Sequence, residues 1–205
     1  MIKHIILSLL VAASSLNASA EDSRYMQGAV PEKDGIVTFT QSFTVKSGTQ
    51  ADVYGIVATY VKQLVADGRQ EMRTRIVSDE PAQGTIVAMV EEVMTFKKQF
   101  LNWDHCYFRY RIMAQCTPDN HVQLTVTQIS YQYMFDENGN GGESYKAEEW
   151  ISDKAAINKA GTKLLPRSGK FRRKTIDRVA AIFEACRECF ETETPEQRRT
   201  ATSLD

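Results

Sequence analysis

Residues 107–135 read YFRYRIMAQCTPDNHVQLTVTQISYQYMF, and this stretch decides the fold. Tyr107, Arg109 and Arg111 alternate with Phe108, Tyr110 and Ile112, the two-residue period of a strand over 107–116. Thr117-Pro118-Asp119-Asn120 is a tight turn by composition. The chain then returns through Val122, Leu124 and Val126, changes face near Thr127-Gln128, and continues through Ile129, Tyr131, Tyr133 and Phe135. Strands joined by so short a turn run antiparallel.

The same reading extends outward. Upstream, residues 85–96 alternate Ile86, Ala88 and Val90 before two acids, Glu91 and Glu92, that suggest a bulge. Residues 72–78 give a further strand, joined to the next through Glu80-Pro81-Ala82-Gln83-Gly84. Before them Val53, Ile56, Val57, Tyr60, Val61, Leu64 and Val65 recur at helical spacing, with a stop at Asp67-Gly68. Residues 36–45 place Val37, Phe39, Phe43 and Val45 on one side and Thr38, Thr40, Ser42 and Thr44 on the other, a half-buried strand.

Downstream, residues 136–143 (DENGNGGE) form a polar loop. A short helical piece is expected over 147–159, irregular chain over 160–169, and a helix over 171–190 with Ile176, Val179, Ala180, Phe183, Cys186 and Phe190 as its core face. The expected order is β-α-β-β-β-β-α. It is an α+β domain with a five-stranded antiparallel sheet and both main helices packed on one face, the other face being left for solvent, a partner or a ligand. An arm over 21–34, punctuated by Pro31 and Asp34-Gly35, precedes this single domain of residues 35–190, and a polar tail over 191–205 follows it.

The 205 residues fit one domain, and the 42% hydrophobic content supplies a packed core. The N-terminus reads as an export signal. Lys3 provides the positive start, residues 5–13 are apolar but for Ser8, and Ala18-Ser19-Ala20 fits a small-x-small cleavage site after Ala20. The apolar run is too short to span a bilayer comfortably, so no stable membrane anchor is expected after cleavage. The mature protein would be periplasmic or extracellular. Loss of Lys3 takes the formal net charge from −1 to −2. A general nucleic-acid binder is usually more basic, and no nucleic acid is expected as a partner.

Export makes disulfides permissible among Cys106, Cys116, Cys186 and Cys189, and four cysteines allow three pairings. A straight strand between Cys106 and Cys116 would hold them about 30 Å apart, too far to bond. Cys186 and Cys189 form C-x-x-C inside the expected last helix, whereas redox and zinc motifs favour a loop or a helix start.

Few residues suggest chemistry. Asp136, Asn138, Asn140 and Gly141 match the start of a calcium loop, but the twelfth position, which needs a bidentate Glu, is Ala147. Ser168-Gly169-Lys170 resembles the end of a phosphate loop, but Leu164 stands where its first glycine belongs. Only His105 and His121 remain after signal cleavage, and Asp104-His105-Cys106 are strand neighbours whose side chains point to opposite faces. No catalytic constellation, metal site or cofactor is therefore expected.

The densest feature is a basic cluster of Arg167, Lys170, Arg172, Arg173, Lys174 and Arg178, opposed in sequence only by Asp177. It opens the last helix, while Glu184, Glu188, Glu191 and Glu193 crowd its end. Both charge sets oppose the helix dipole. The six cations are the candidate contact for an anion or an acidic partner. The alternative is a solvated face paired with acids such as Glu148, Glu149 and Asp153.

Tyr25-Met26-Gln27-Gly28-Ala29-Val30-Pro31, Gly84-Thr85-Ile86-Val87-Ala88, Ala147-Glu148-Glu149-Trp150-Ile151 and Ser168-Gly169-Lys170-Phe171-Arg172-Arg173-Lys174-Thr175-Ile176-Asp177 resemble segments of a family of exported Bacteroidota proteins. That family carries a domain of unknown function, number 4468, with a TATA-binding-protein-like (TBP-like) fold. The resemblance runs from about Tyr25 to Phe190 and implies a curved antiparallel sheet with the element order given above. It implies no catalytic residues, and the name of the fold does not imply DNA binding. The expected function is that of an exported non-enzymatic binding or protein-interaction module, with a protein partner or homodimer as its contact. The alternatives are a periplasmic carrier of a small apolar or anionic ligand and, more distantly, a hydrolase.

Overall fold

The computed structural model describes residues 23–68, 73–100, 102–135 and 141–192. The expected signal segment, Met72 of the first expected meander strand, the positions Asp136, Asn138 and Asn140 compared with a calcium loop, and residues 193–205 lie outside them.

The strands are β1 (Glu32–Lys33), β2 (Ile36–Thr44), β3 (Arg75–Glu80), β4 (Thr85–Gln99), β5 (Asn102–Cys116), β6 (His121–Tyr133) and β7 (Glu143–Lys146). The helices are α1 (Gln50–Asp67), α2 (Ala147–Trp150), α3 (Asp153–Ala156) and α4 (Pro166–Thr192). One seven-stranded sheet runs in the order β1-β2-β6-β5-β4-β3, with β7 added on β6, and the printed pairings are antiparallel. The five expected strands are β2 to β6. The count of five is corrected by two short additions that hydrophobic periodicity does not register. β1 folds onto β2 through Asp34 (φ 53°) and Gly35 (φ 76°), the left-handed pair that a two-residue hairpin turn requires. β7 takes up the edge of β6 beyond its face change.

Alternation builds the core. Ile86, Ala88, Val90 and Met94 of β4 point to one face with Cys106, Phe108, Tyr110, Ile112 and Ala114 of β5 and Val122, Leu124 and Val126 of β6, all buried. Gln128 adopts φ 52°, and β6 resumes burial at Ile129 and Tyr131, so the face change near 127–128 is present. The bulge expected at Glu91-Glu92 is not there. Glu91 faces Arg109 and Glu92 faces Phe108 in unbroken register, and the shift lies between Thr95 and Lys97. The two acids interrupt the apolar pattern because each meets an arginine on its own face: Glu91 pairs with Arg109 and Glu92 with Arg178.

Both long helices cover that same face. Helix α1 begins at a capping box in which Thr49 and Asp52 bond reciprocally, and it buries Val53, Val57, Val61 and Leu64. Helix α4 lies beside it, and the Tyr60 hydroxyl donates to the Ile182 carbonyl at 2.7 Å. Helix α4 starts five residues before the expected 171, at Pro166, a residue suited to a first helical turn. Gly169 permits this start, since a Cβ there would lie 2.8 Å from that of Leu164. Gly84 has a similar duty at the β3–β4 connection: φ is 65°, and a Cβ would sit 2.2 Å from the Cys116 carbonyl oxygen.

Candidate binding surface

Helix α4 disperses the six cations of the basic cluster over different surroundings. Arg172 is wholly buried. Its guanidinium donates to the carbonyls of Tyr25 (2.5 Å), Ile151 (2.6 Å) and Met26 (2.7 Å) and to Asp153 Oδ1 (2.6 Å). Asp153 also accepts from the Gly28 amide at 2.8 Å. The arm, the α2–α3 segment and α4 are thus closed around one cation, and Arg172 is corrected from a partner contact to an internal clamp. A residue with no exposed surface cannot meet a partner.

Lys170 donates to Asp104 Oδ2 (2.6 Å) and the Tyr133 hydroxyl (2.8 Å) and lies over the rings of Phe96, Tyr133 and Phe171. Burial disfavours its charge, but the Asp104 and Tyr133 bonds outweigh that and hold its pKa above the ordinary lysine value. It is thereby unsuited to act as a neutral amine. Arg178 grips Glu92 with two bonds of 2.7 and 2.6 Å, and those bonds raise its pKa further. Arg167 reaches Glu143 (2.5 Å) and the Tyr145 hydroxyl (3.0 Å). Arg173 lies over the Tyr25 ring. Lys174 is exposed and holds no carboxylate among the described residues. The acids come from other elements, and of the expected local partners only Asp153 takes part in these pairs. Glu148 accepts from the Val37 amide, and Glu149 from the Lys146 amide. At the other end of α4, Arg187 pairs with Glu184 and Glu191. Tertiary and local pairs together account for a charge order that the dipole alone disfavours.

The remaining chemistry candidates separate. His105 stands on the sheet face away from the helices, while Asp104 and Cys106 point inward. His121 sits at the start of β6 beside Thr44. Ser168 and Gly169 are inside α4, with the Ser168 hydroxyl donating to the Ala155 carbonyl, so no phosphate loop exists there. None of the four cysteines is in a disulfide. Burial pushes the Cys106 and Cys186 thiols up to about 12 and Cys116 up to about 11. Among the described residues no cluster of His, Cys, Asp and Glu could hold a metal ion, and no helix is long and apolar enough to cross a membrane.

What remains is the face that the helices leave open. Of the aromatic residues read on the two long strands, Phe108, Tyr110 and Tyr131 are core. Tyr107 and Phe135 are not. Tyr107 stacks on Phe135 at 4.1 Å, Phe135 meets His105 edge-on at 5.0 Å, and His105 stacks on Trp103 at 3.9 Å. Trp103 is 48% exposed, and its indole N–H donates to Thr95 Oγ1 at 3.2 Å. Phe100 and Met134 stand exposed beside this row. A cleft of about 350 Å³ opens among Lys97, Trp103, Tyr133 and Phe135. Trp103 and His105 lie before the start expected for their strand, so alternation read from 107 does not reach them. Continuing it back to 103 would have placed both on the Tyr107 face.

The bordering strand matters as much. β3 pairs with β4 only from Thr85 to Met89, while β4 runs on to Gln99. A second cleft, about 340 Å³, lies along this uncovered part. Met94 and Phe108 line its base, and Lys174, Asp177 and Arg178 of α4 line its wall.

Comparison with known proteins agrees with the architecture. The profile of the family described as "Domain of unknown function (DUF4468) with TBP-like fold" matches residues 39–132. A crystal structure of a DUF4468 family protein from Bacteroides ovatus is similar at 34% identity and a TM-score of 0.75, covering 85% of this chain and 97% of that one. A TBP-like protein from Parabacteroides distasonis shares the fold at 19% identity and a TM-score of 0.64, with 80% and 99% covered. No curated protein matches.

Proposed function

The chain belongs to the DUF4468 family, and from that premise we propose that it is an exported, non-enzymatic binding module that holds a protein partner on the open face of its sheet. The observation that carries this reading is the row of Trp103, His105, Phe135 and Tyr107, four rings each touching the next on the face opposite both long helices. Large aromatic side chains left at a surface are the usual anchors of protein interfaces. The ionisable groups nearer the core are occupied with one another, as in Lys170–Asp104 and Arg178–Glu92, which supports a scaffold rather than a reaction centre. The carrier reading would want an ample cavity between sheet and helices, but Phe108, Tyr110, Tyr131 and Phe171 pack much of that layer and leave the cleft at the β4 edge.

The test is native mass spectrometry of the mature protein purified from the compartment that contains it, beside Trp103→Ala. A protein partner that accompanies the unsubstituted chain and is lost from Trp103→Ala is the expected result. A retained small molecule without a protein partner, or a partner indifferent to Trp103→Ala, overturns the reading.

A further inference from the structure

We propose that the partner is an acidic polypeptide segment that binds in extended form as an added strand on the free edge of β4, at Val93 and Thr95. The inference rests on the open-face reading above and goes beyond it by naming the partner's chemistry and its mode of attachment.

The edge is defined by its neighbours. β5 pairs along the length of β4, whereas β3 stops opposite Met89. The next outward position, Glu91, is closed from the side: Thr74 Oγ1 accepts from the Glu91 amide at 2.9 Å and donates to its carbonyl at 3.4 Å. That cap shows which way the Glu91 backbone groups point. By strand alternation the groups of Val93 and Thr95 point the same way, and no described strand takes them. Val93 is 38% exposed. An edge of this kind is a template for another strand.

Charge decides what kind of strand. Among the described residues around this edge the acids already hold cations: Glu91 holds Arg109, Glu92 holds Arg178, Asp177 holds Arg24 and Asp104 holds Lys170. Arg73 and Arg75 before the free segment, Lys97 and Lys98 at its end, and Lys174 above it have no carboxylate among the described residues. The surroundings are therefore basic on a chain whose formal net charge is −1. A second copy would bring the same cations against these, a repulsive arrangement. An acidic strand meets them, and salt should weaken its binding because these side chains are exposed.

The two faces of the added strand would find different surroundings. On the helix side, alternate residues enter the cleft over Met94 and Phe108, beneath Lys174. On the open side they lie beside Val93 and Thr95, whose cross-strand neighbours are Tyr107 and His105. A nucleic acid or an acidic polysaccharide could meet the cations, but neither supplies alternating amides and carbonyls for the edge. That favours a polypeptide.

The test uses the full mature chain and a fluorescein-labelled peptide alternating Glu with Val, followed by anisotropy. Controls are the same peptide with Lys in place of Glu, heparin, and single-stranded DNA. Val93→Pro removes the outward amide at an edge position, where proline is tolerated. Lys97→Glu with Lys98→Glu reverses the flanking charge. The Glu peptide should bind, the Lys peptide should not, and each variant should weaken binding about tenfold or more. Amide exchange at Val93 and Thr95 of the unsubstituted protein should slow on peptide addition, which carries the test even if Val93→Pro fails to fold. Unslowed exchange at both amides, equal binding of both peptides, or preference for heparin or DNA overturns the proposal. If Trp103→Ala releases the natural partner and Val93→Pro does not, the open-face reading stands and the edge inference falls.

Discussion

Replacing Arg172 tests the clamp that joins the arm, the α2–α3 segment and α4. In Arg172→Met the side chain keeps much of its length and loses four hydrogen bonds. The Tyr25 and Ile151 carbonyls are left buried without their partner, at about 1–3 kcal/mol each. The Met26 carbonyl and Asp153 are partly exposed and recover water, so their loss is smaller. Methionine packing returns some of the deficit, and the expected destabilisation is about 3–5 kcal/mol. Arg172→Lys keeps the charge but cannot fork towards acceptors on three segments, and should cost about 2–3 kcal/mol. Urea unfolding of the mature protein, followed by tryptophan fluorescence, measures both. Lys174→Gln is the control, with an effect within about 0.5 kcal/mol, because that side chain is exposed. A loss under about 1 kcal/mol in Arg172→Met, or one equal to that of Lys174→Gln, would refute the clamp. Joint replacement of Arg172, Arg173 and Lys174 would report on folding before binding, because Arg172 is interior.

Gly84→Ala should destabilise by about 2 kcal/mol or more in the same assay, from the left-handed backbone and the approach of the Cys116 carbonyl; a smaller loss would show that this connection relaxes. Burial raises the Cys106, Cys116 and Cys186 thiols to between about 11 and 12 from an ordinary 9.0. The folded protein holds these protons more tightly than the unfolded chain, so this contribution is complete below about pH 9 and is lost as pH rises towards 12; stability unchanged from pH 8 to 11 would contradict it. Hydrogen bonds from Lys62, then Tyr54, lower the Asp79 pKa, so its contribution persists at neutral pH and disappears as pH falls through the lowered value. Asp79→Asn should therefore flatten the acid side of a stability profile, and an unchanged profile would deny the pairing any role. Under native conditions a thiol reagent should modify Cys189 before the three buried cysteines; Cys106 reacting first would contradict their burial.

The central architecture was legible because burial repeats with the period of the backbone. Alternation over 107–135 and 85–96, helical spacing over 53–65 and a tight turn at 117–120 suffice for an antiparallel meander with helices on one face. Where a rule depends on fewer residues, the reading thinned. β1 and β7 are too short to show a period, and the Asp34-Gly35 hairpin shows only in its turn chemistry. Pro166 and Gly169 punctuate the sequence and so obscure the start of α4, although one opens the helix and the other admits Leu164.

The cation cluster separates the two kinds of information most clearly. Sequence alone determined that Arg172, Arg173, Lys174 and Arg178 share one helix, that Arg167 and Lys170 lie just ahead of it, and that these charges oppose its dipole. Only the tertiary structure decided that Arg172 is interior, that Arg178 belongs to Glu92 and Lys170 to Asp104, and that Lys174 stands open over the edge of β4. The physical reason is range. Periodicity is a property of neighbouring residues, whereas an ion pair between Glu92 and Arg178 depends on which strand the helix crosses. The chain settles that only when the whole core closes.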